Sequence, residues 1–236
     1  MKNKILLLWD FILSFKGKFL DGVVLYYIIN IGSYIILPKL YSFEIFGDFI
    51  YFSGFTLIFA FISTSKLEIF ISNEKDTLIR SKLYNTQLTV IFLILLLVTS
   101  FIFLINQFFN FIDSIILISL FFITLSHVYI IVFNQKWLTT AEYKMIIYMR
   151  FFPYAILLLF QILAYVFFGD SLYSIIISSA ISSLIVILIL SLFILKNGID
   201  FKIFYNFIIT TKDKFIITIP STSINVITQN ITTIII

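Results

Sequence analysis

Thr218, Ser221, Asn225, Gln229 and Thr232 recur every three or four positions in the otherwise apolar run that begins near Phe215. On a helix that interval makes one face, and Pro220 within it frees a backbone carbonyl. Away from water, a carboxamide or hydroxyl must find a partner or line a wet cavity. Two chemistries suit such a stripe: a cavity wall that hydrogen-bonds a polar substrate, or glue to a neighbouring helix. Shorter stripes lie upstream, where Gly22, Tyr26, Asn30 and Ser33 share one face and Tyr154, Gln161 and Tyr165 share another. Tyr26, Asn30, Ser33, Gln161, Ser221, Asn225 and Gln229 are the candidate substrate-cavity residues. Ser174, Ser178 and Ser182 keep small-xxx-small spacing, which implies close helix packing and no chemistry.

Charged groups near these stripes are few. Asp21 falls near the inner end of the first apolar stretch, and Asp48 near the outer end of the second. Lys66 and Glu68 stand at the inner mouth of the second. Asp21 suits a proton or cation site, or a side chain that reaches back to the interface. His127, the single histidine, has no second histidine or carboxylate near it in sequence, so a hydrogen-bonded packing role is expected. No phosphate-binding loop, dinucleotide turn, paired metal ligands or nucleophile elbow occurs. The absence of cysteine excludes disulfides and thiolate chemistry. The expectation is a protein with no catalytic residue, no metal and no cofactor.

The elements that carry these residues follow from composition. The chain is 61% hydrophobic and 12% charged, too little charge to cover a soluble domain of 236 residues. A spanning helix needs about 20 apolar residues, and seven stretches qualify: Phe19–Pro38, Ile45–Ser65, Thr86–Ile105, Ser114–Phe133, Phe151–Phe168, Leu172–Leu195, and one from Phe215 to Ile236. Residues 1–18, with lysines at both ends and Trp9 between, suit an interfacial amphipathic helix. Of 16 Lys and Arg residues, 15 fall at the amino terminus or in alternate connections, and only Lys39 lies in the others. The positive-inside rule then puts the amino terminus and the charged island Ser63–Lys82 in the cytoplasm. The inner connections are amphipathic enough to lie along the membrane, and the outer ones are short. Because the charges fall in islands between apolar blocks, no basic face for nucleic acid can be assembled.

The sequence also resembles the amino-terminal half of bacterial polysaccharide exporters and O-antigen-type flippases, members of the multidrug/oligosaccharidyl-lipid/polysaccharide exporter superfamily. The resemblance rests on three stretches: "ILPKLYSFEIFGDFIYFSG", with proline after the first helix and a turn into the second; "STSKLEIFISN", where the second span leaves the membrane; and "KFIITIPSTSINVITQN", a Pro-containing entry into the second half. Lys66 stands where the family usually has Arg, and Leu67 where it has a more aromatic residue. "KGKF" at Lys16 and "KDKF" at Lys212 repeat before the first and seventh spans.

The resemblance implies an all-α polytopic fold in which two six-helix bundles face each other across a central cavity bordered by the first and seventh helices. Residues 19–214 would then form the first bundle, and 215–236 would open a second one that this chain truncates. It also implies a flippase for lipid-linked oligosaccharide or polysaccharide repeat units in a bacterial cytoplasmic membrane. The partners expected are a polyprenyl-linked oligosaccharide, the bilayer and glycan-assembly proteins. Lys66 would attract pyrophosphate at the cytoplasmic mouth, and rocking of the halves would alternate access. A small-molecule exporter of the same fold is the alternative, and it would need a deep carboxylate, for which only Asp21 offers itself. A membrane-embedded glycan polymerase would need a long basic external loop, which the sequence lacks.

Overall fold

The computed structural model describes residues 20–109, 112–140 and 143–213, all helix and short connections. In chain order the helices are α1 (Leu20–Leu40), α2 (Phe43–Thr64), α3 (Leu67–Ser72), α4 (Thr77–Phe109), α5 (Ser114–Thr139), α6 (Tyr143–Phe168) and α7 (Leu172–Asn197). Residues 201–213 form a further helix, α8. The amino-terminal segment 1–18 and the expected seventh span, with Ser221, Asn225 and Gln229, lie outside the described residues.

Five of these helices are long and apolar enough to cross a membrane: α2, α4, α5, the Phe151–Phe168 portion of α6 and the Leu172–Ile194 portion of α7. The first expected span is the 21-residue helix α1, whose described apolar portion, Tyr27–Leu40, is shorter than a span. Several helices start where local capping dictates. Asp113 accepts from Ile115 N at 2.7 Å at the start of α5, and Ser171 accepts from Ser174 N at 3.1 Å at the start of α7. Asp76 accepts from Leu78 N and Ile79 N at 2.8 and 3.0 Å and starts α4. Asn106 closes the turn from α4 to α5 by exchanging two hydrogen bonds with the main chain of Ile112, at 2.6 and 2.9 Å.

α5 is the hub and packs against α2, α3, α4, α6 and α7. α1 leans mainly on α6 and only lightly on α2, its neighbour in sequence. One apolar core, built on Leu88, Leu125, Val128, Val132, Phe133 and Leu190, lies toward the end rich in Lys and Arg. A smaller one, built on Leu37, Tyr41, Phe46, Phe49, Ile175 and Ile176, lies toward the other. The outward faces of α1, α4, α6 and α7 carry large apolar side chains, among them Ile31, Leu97, Phe101, Phe167 and Leu192, each more than half exposed. So much apolar surface is stable only against lipid or a partner.

Within the charged island Leu67–Ser72 is the helix α3, and only residues 73–76 separate it from α4. α3 folds back against α4 and α5. Leu67, Glu68 and Ile71 are buried there, because the apolar positions within the island recur at helical spacing. The chain enters α3 through Ser65 (φ 49°) and Lys66 (φ 53°), two consecutive left-handed residues without glycine's freedom.

Candidate functional site

Residues from α1, α2, α5 and α6 line a partly open cavity of about 280 Å³. Its polar lining is Asn30, Ser33 and Tyr34 from α1, Ser53 from α2, His127 from α5, and Tyr154 and Gln161 from α6. The apolar lining includes Leu37, Phe46, Phe49 and Leu157. The cavity exists because α1 packs on α6 and leaves its face toward α2 open. The two upstream stripes therefore converge on one space, with Asn30, Ser33, Tyr154 and Gln161 around it.

A smaller space of about 60 Å³ adjoins it and shares Ser53, His127 and Tyr154. Ser126, Ser179, Ser182 and Ser183 complete its polar wall. The serines of α7 do pack closely. Ser178 Oγ donates to Ile175 O at 2.9 Å and Ser182 Oγ to Ser179 O at 2.8 Å, so their hydroxyls are satisfied within the helix.

The polar groups differ in what they have left to offer. Ser33 Oγ donates to Asn30 O at 2.6 Å and Ser53 Oγ to Ile50 O at 2.9 Å, which keeps oxygen lone pairs for another donor. Gln161 is 1% exposed and its Nε2 donates to Ser179 Oγ at 3.0 Å, so this nitrogen joins α6 to α7. Helix glue and cavity lining thus meet in one residue. His127 Nδ1 is enclosed and has no hydrogen-bond partner among the described residues. That corrects the expectation of a hydrogen-bonded packing histidine. An enclosed polar atom without a partner costs about 1–3 kcal/mol, which a guest with a matching group would recover.

Of the remaining candidates, the side chains of Asp21 and Tyr26 lie outside the described residues. Asp48 is exposed. Lys66 is half-buried at the α2–α3 junction. Glu68 is 4% exposed between α3 and α4 and does not line the cavity. Burial pushes its carboxyl up to about 7, with its own main-chain N–H, Gln87 and Lys66 offsetting part of the rise.

A second polar cluster belongs to none of the stripes expected from the sequence. Asn85, Thr86 and Gln87 are consecutive and completely buried, and on a helix they point about 100° apart. Each engages a different element. Asn85 Nδ2 donates to Ile194 O and Gly198 O at 3.1 and 3.0 Å, holding the end of α7. Thr86 Oγ1 accepts from Asp200 N at 2.9 Å, where Asp200 caps α8. Gln87 Nε2 reaches Glu68 Oε2 at 3.5 Å on α3. Lys136 of α5, 8% exposed, donates to Asn85 Oδ1 at 3.1 Å and lies over the Phe133 ring at 5.3 Å. Three adjacent polar residues at the edge of an apolar run were the available signal.

Among the described residues no group of acidic, histidine or cysteine side chains is arranged to hold a metal ion. Fold and site together define an all-helical protein with membrane-length apolar helices and a polar-lined cavity between them. Comparison with known protein families, characterised proteins and solved structures gives no match.

Proposed function

We propose that this chain is part of a transporter that carries a hydroxyl-rich headgroup across a bacterial cytoplasmic membrane, with a lipid-linked oligosaccharide as the substrate class. The observation that supports this most is the convergence of Asn30, Ser33 and His127, from helices far apart in sequence, on one cavity among membrane-length helices. Asparagine, serine and imidazole both donate and accept, which matches sugar hydroxyls. The lipid tail would remain in the bilayer beside the apolar faces of α1 and α6, while alternating access moves the headgroup.

The test is deletion of the gene, followed by assay of polyprenyl-linked oligosaccharide and surface polysaccharide. Accumulation of the lipid-linked form, reversed by the wild-type gene but not by an Asn30→Ala/Ser33→Ala variant of equal abundance, is expected. Unchanged surface polysaccharide without accumulation overturns the reading.

The mainly apolar remainder of the cavity lining favours a second reading, an exporter of amphipathic small molecules. Efflux of a labelled amphipath that depends on this gene, with normal glycan, would select it.

A further inference from the structure

We propose that Glu68 is a proton-binding site: its carboxyl is protonated in this conformation and donates a hydrogen bond to the side-chain oxygen of Gln87, and loss of that proton releases α3 from the bundle. The inference does not depend on what the cavity carries.

The geometry of the pair is the first support. Gln87 Oε1 is enclosed and accepts no hydrogen bond among the described residues. Its Nε2 stands 3.5 Å from Glu68 Oε2, at the limit of a hydrogen bond. A carboxylate can only accept, so it leaves that oxygen without a donor. A carboxylic acid has an O–H to give, and acid and amide then exchange two hydrogen bonds. Both side chains are buried, Glu68 at 4% exposure and Gln87 at 0%, so water does not substitute for the missing donor.

The neighbourhood is the second support, because its cations are engaged elsewhere. On α4, Arg80 Nη1 donates to Glu74 O at 3.2 Å, and the Tyr84 hydroxyl donates to Glu68 O, the main-chain oxygen, at 3.1 Å. On α5, Lys136 donates to Asn85 Oδ1. Lys66, two residues before Glu68, is the cation that acts on its carboxyl, and it offsets burial only in part.

The third support is that α3 is built to move. It has six residues, enters through two left-handed non-glycine residues and leaves through the short stretch 73–76. Its hold on the bundle is the burial of Leu67, Glu68 and Ile71, the packing of Phe70 on the core and the one hydrogen bond from Tyr84. An ionised Glu68 would have to stay buried without adequate pairing, and undocking the helix relieves that cost. The released proton passes to water at this end of the bundle.

The direction of the pH dependence follows. Burial raises the carboxyl from 4.5 to about 7. A raised value means that docking is fully supported below about 4.5 and weakens as pH climbs through 7. The docked and undocked populations therefore shift mainly between those two values and level off above the upper one.

Hydrogen exchange of residues 65–76 in the whole protein, in lipid nanodiscs, tests this. Wild type and Glu68→Gln are compared at the same pH, so the intrinsic pH dependence of exchange cancels. At pH 7.5 the wild type is expected to exchange more than tenfold faster than Glu68→Gln, and at pH 5 only about fourfold faster. Gln87→Met, which removes the acceptor, is expected to speed exchange at pH 5. Equal rates for wild type and Glu68→Gln at pH 7.5, or a wild-type to Glu68→Gln ratio at pH 5 as large as that at pH 7.5, overturns the proposal. Should Glu68→Gln not fold, carboxyl-labelled glutamate in the wild type decides. A protonated carboxyl stretch at pH 6 that vanishes by pH 8.5 is expected, and its absence at pH 6 is fatal.

Discussion

The hydroxyl of Tyr41 donates to the main-chain oxygen of Gln161 at 2.8 Å, across 120 positions of sequence. Tyr41 is 1% exposed, its ring meets Tyr165 edge-on at 5.4 Å, and Ser174 Oγ lies 3.4 Å from its hydroxyl. This one side chain in the α1–α2 connection therefore fixes α6 and α7 at the end of the bundle opposite the one rich in Lys and Arg.

Tyr41→Phe is expected to lower stability by about 1 kcal/mol, the worth of one buried hydrogen bond. Tyr41→Ala should cost about 3–5 kcal/mol, because it also opens a cavity. Thermal unfolding of the purified protein in detergent checks both. Equal losses would mean that the hydroxyl contributes nothing.

Asn85 and Lys136 form a coupled pair in which each satisfies the other within a dry environment. Asn85→Leu is expected to destabilise by about 1–3 kcal/mol, since it also strips the donors from the end of α7. Lys136→Met in the Asn85→Leu background should cost less than Lys136→Met alone, and a double-mutant cycle measures the difference. Additive losses would show that the two residues act separately.

The cavity makes a prediction about water. The chain has no native cysteine, so single cysteines report without background. Ser53→Cys, in the cavity lining, should react with a membrane-impermeant maleimide, which needs a hydrated thiolate. Ile31→Cys, on the outward face of α1, should stay unreactive in intact membranes. The reverse order of reactivity would mean that the cavity is dry.

Glu68 gives the fold a pH dependence that comparison with Glu68→Gln isolates. Its raised carboxyl favours the docked state at low pH, so the melting temperature of the wild type, measured against that of Glu68→Gln, should fall from pH 5 to pH 7.5 and change little above pH 8. A wild type that gains stability relative to Glu68→Gln with rising pH would contradict the assignment.

Much of the architecture was legible in the residues, for identifiable reasons. Ser114 and Leu172 were expected from apolar length to open spans and do open α5 and α7, where the side chains of Asp113 and Ser171 cap the helices. At the basic ends the helices overrun the apolar stretches. The span expected to end at Phe133 continues to Thr139, and the one expected from Thr86 begins at Thr77. Hydropathy marks where lipid ends, not where helical hydrogen bonding ends. Asn30 and Ser33 could be suspected from their spacing, but that they share a space with His127 depends on α1 packing on α6, a choice no local pattern encodes. The Asn85–Gln87 cluster stayed invisible for the same reason, since its partners lie on α3, α5 and α7 and at the start of α8.

α4 runs for 33 residues without interruption, roughly 50 Å at 1.5 Å per residue. A hydrocarbon layer of about 30 Å cannot contain it even at a tilt of about 40°. At least two turns must therefore stand clear of the lipid as a stiff continuation of a buried rod. Any tilt of its embedded portion would swing that projecting stub, so a spectroscopic label near its first turn would report such a tilt from the aqueous side.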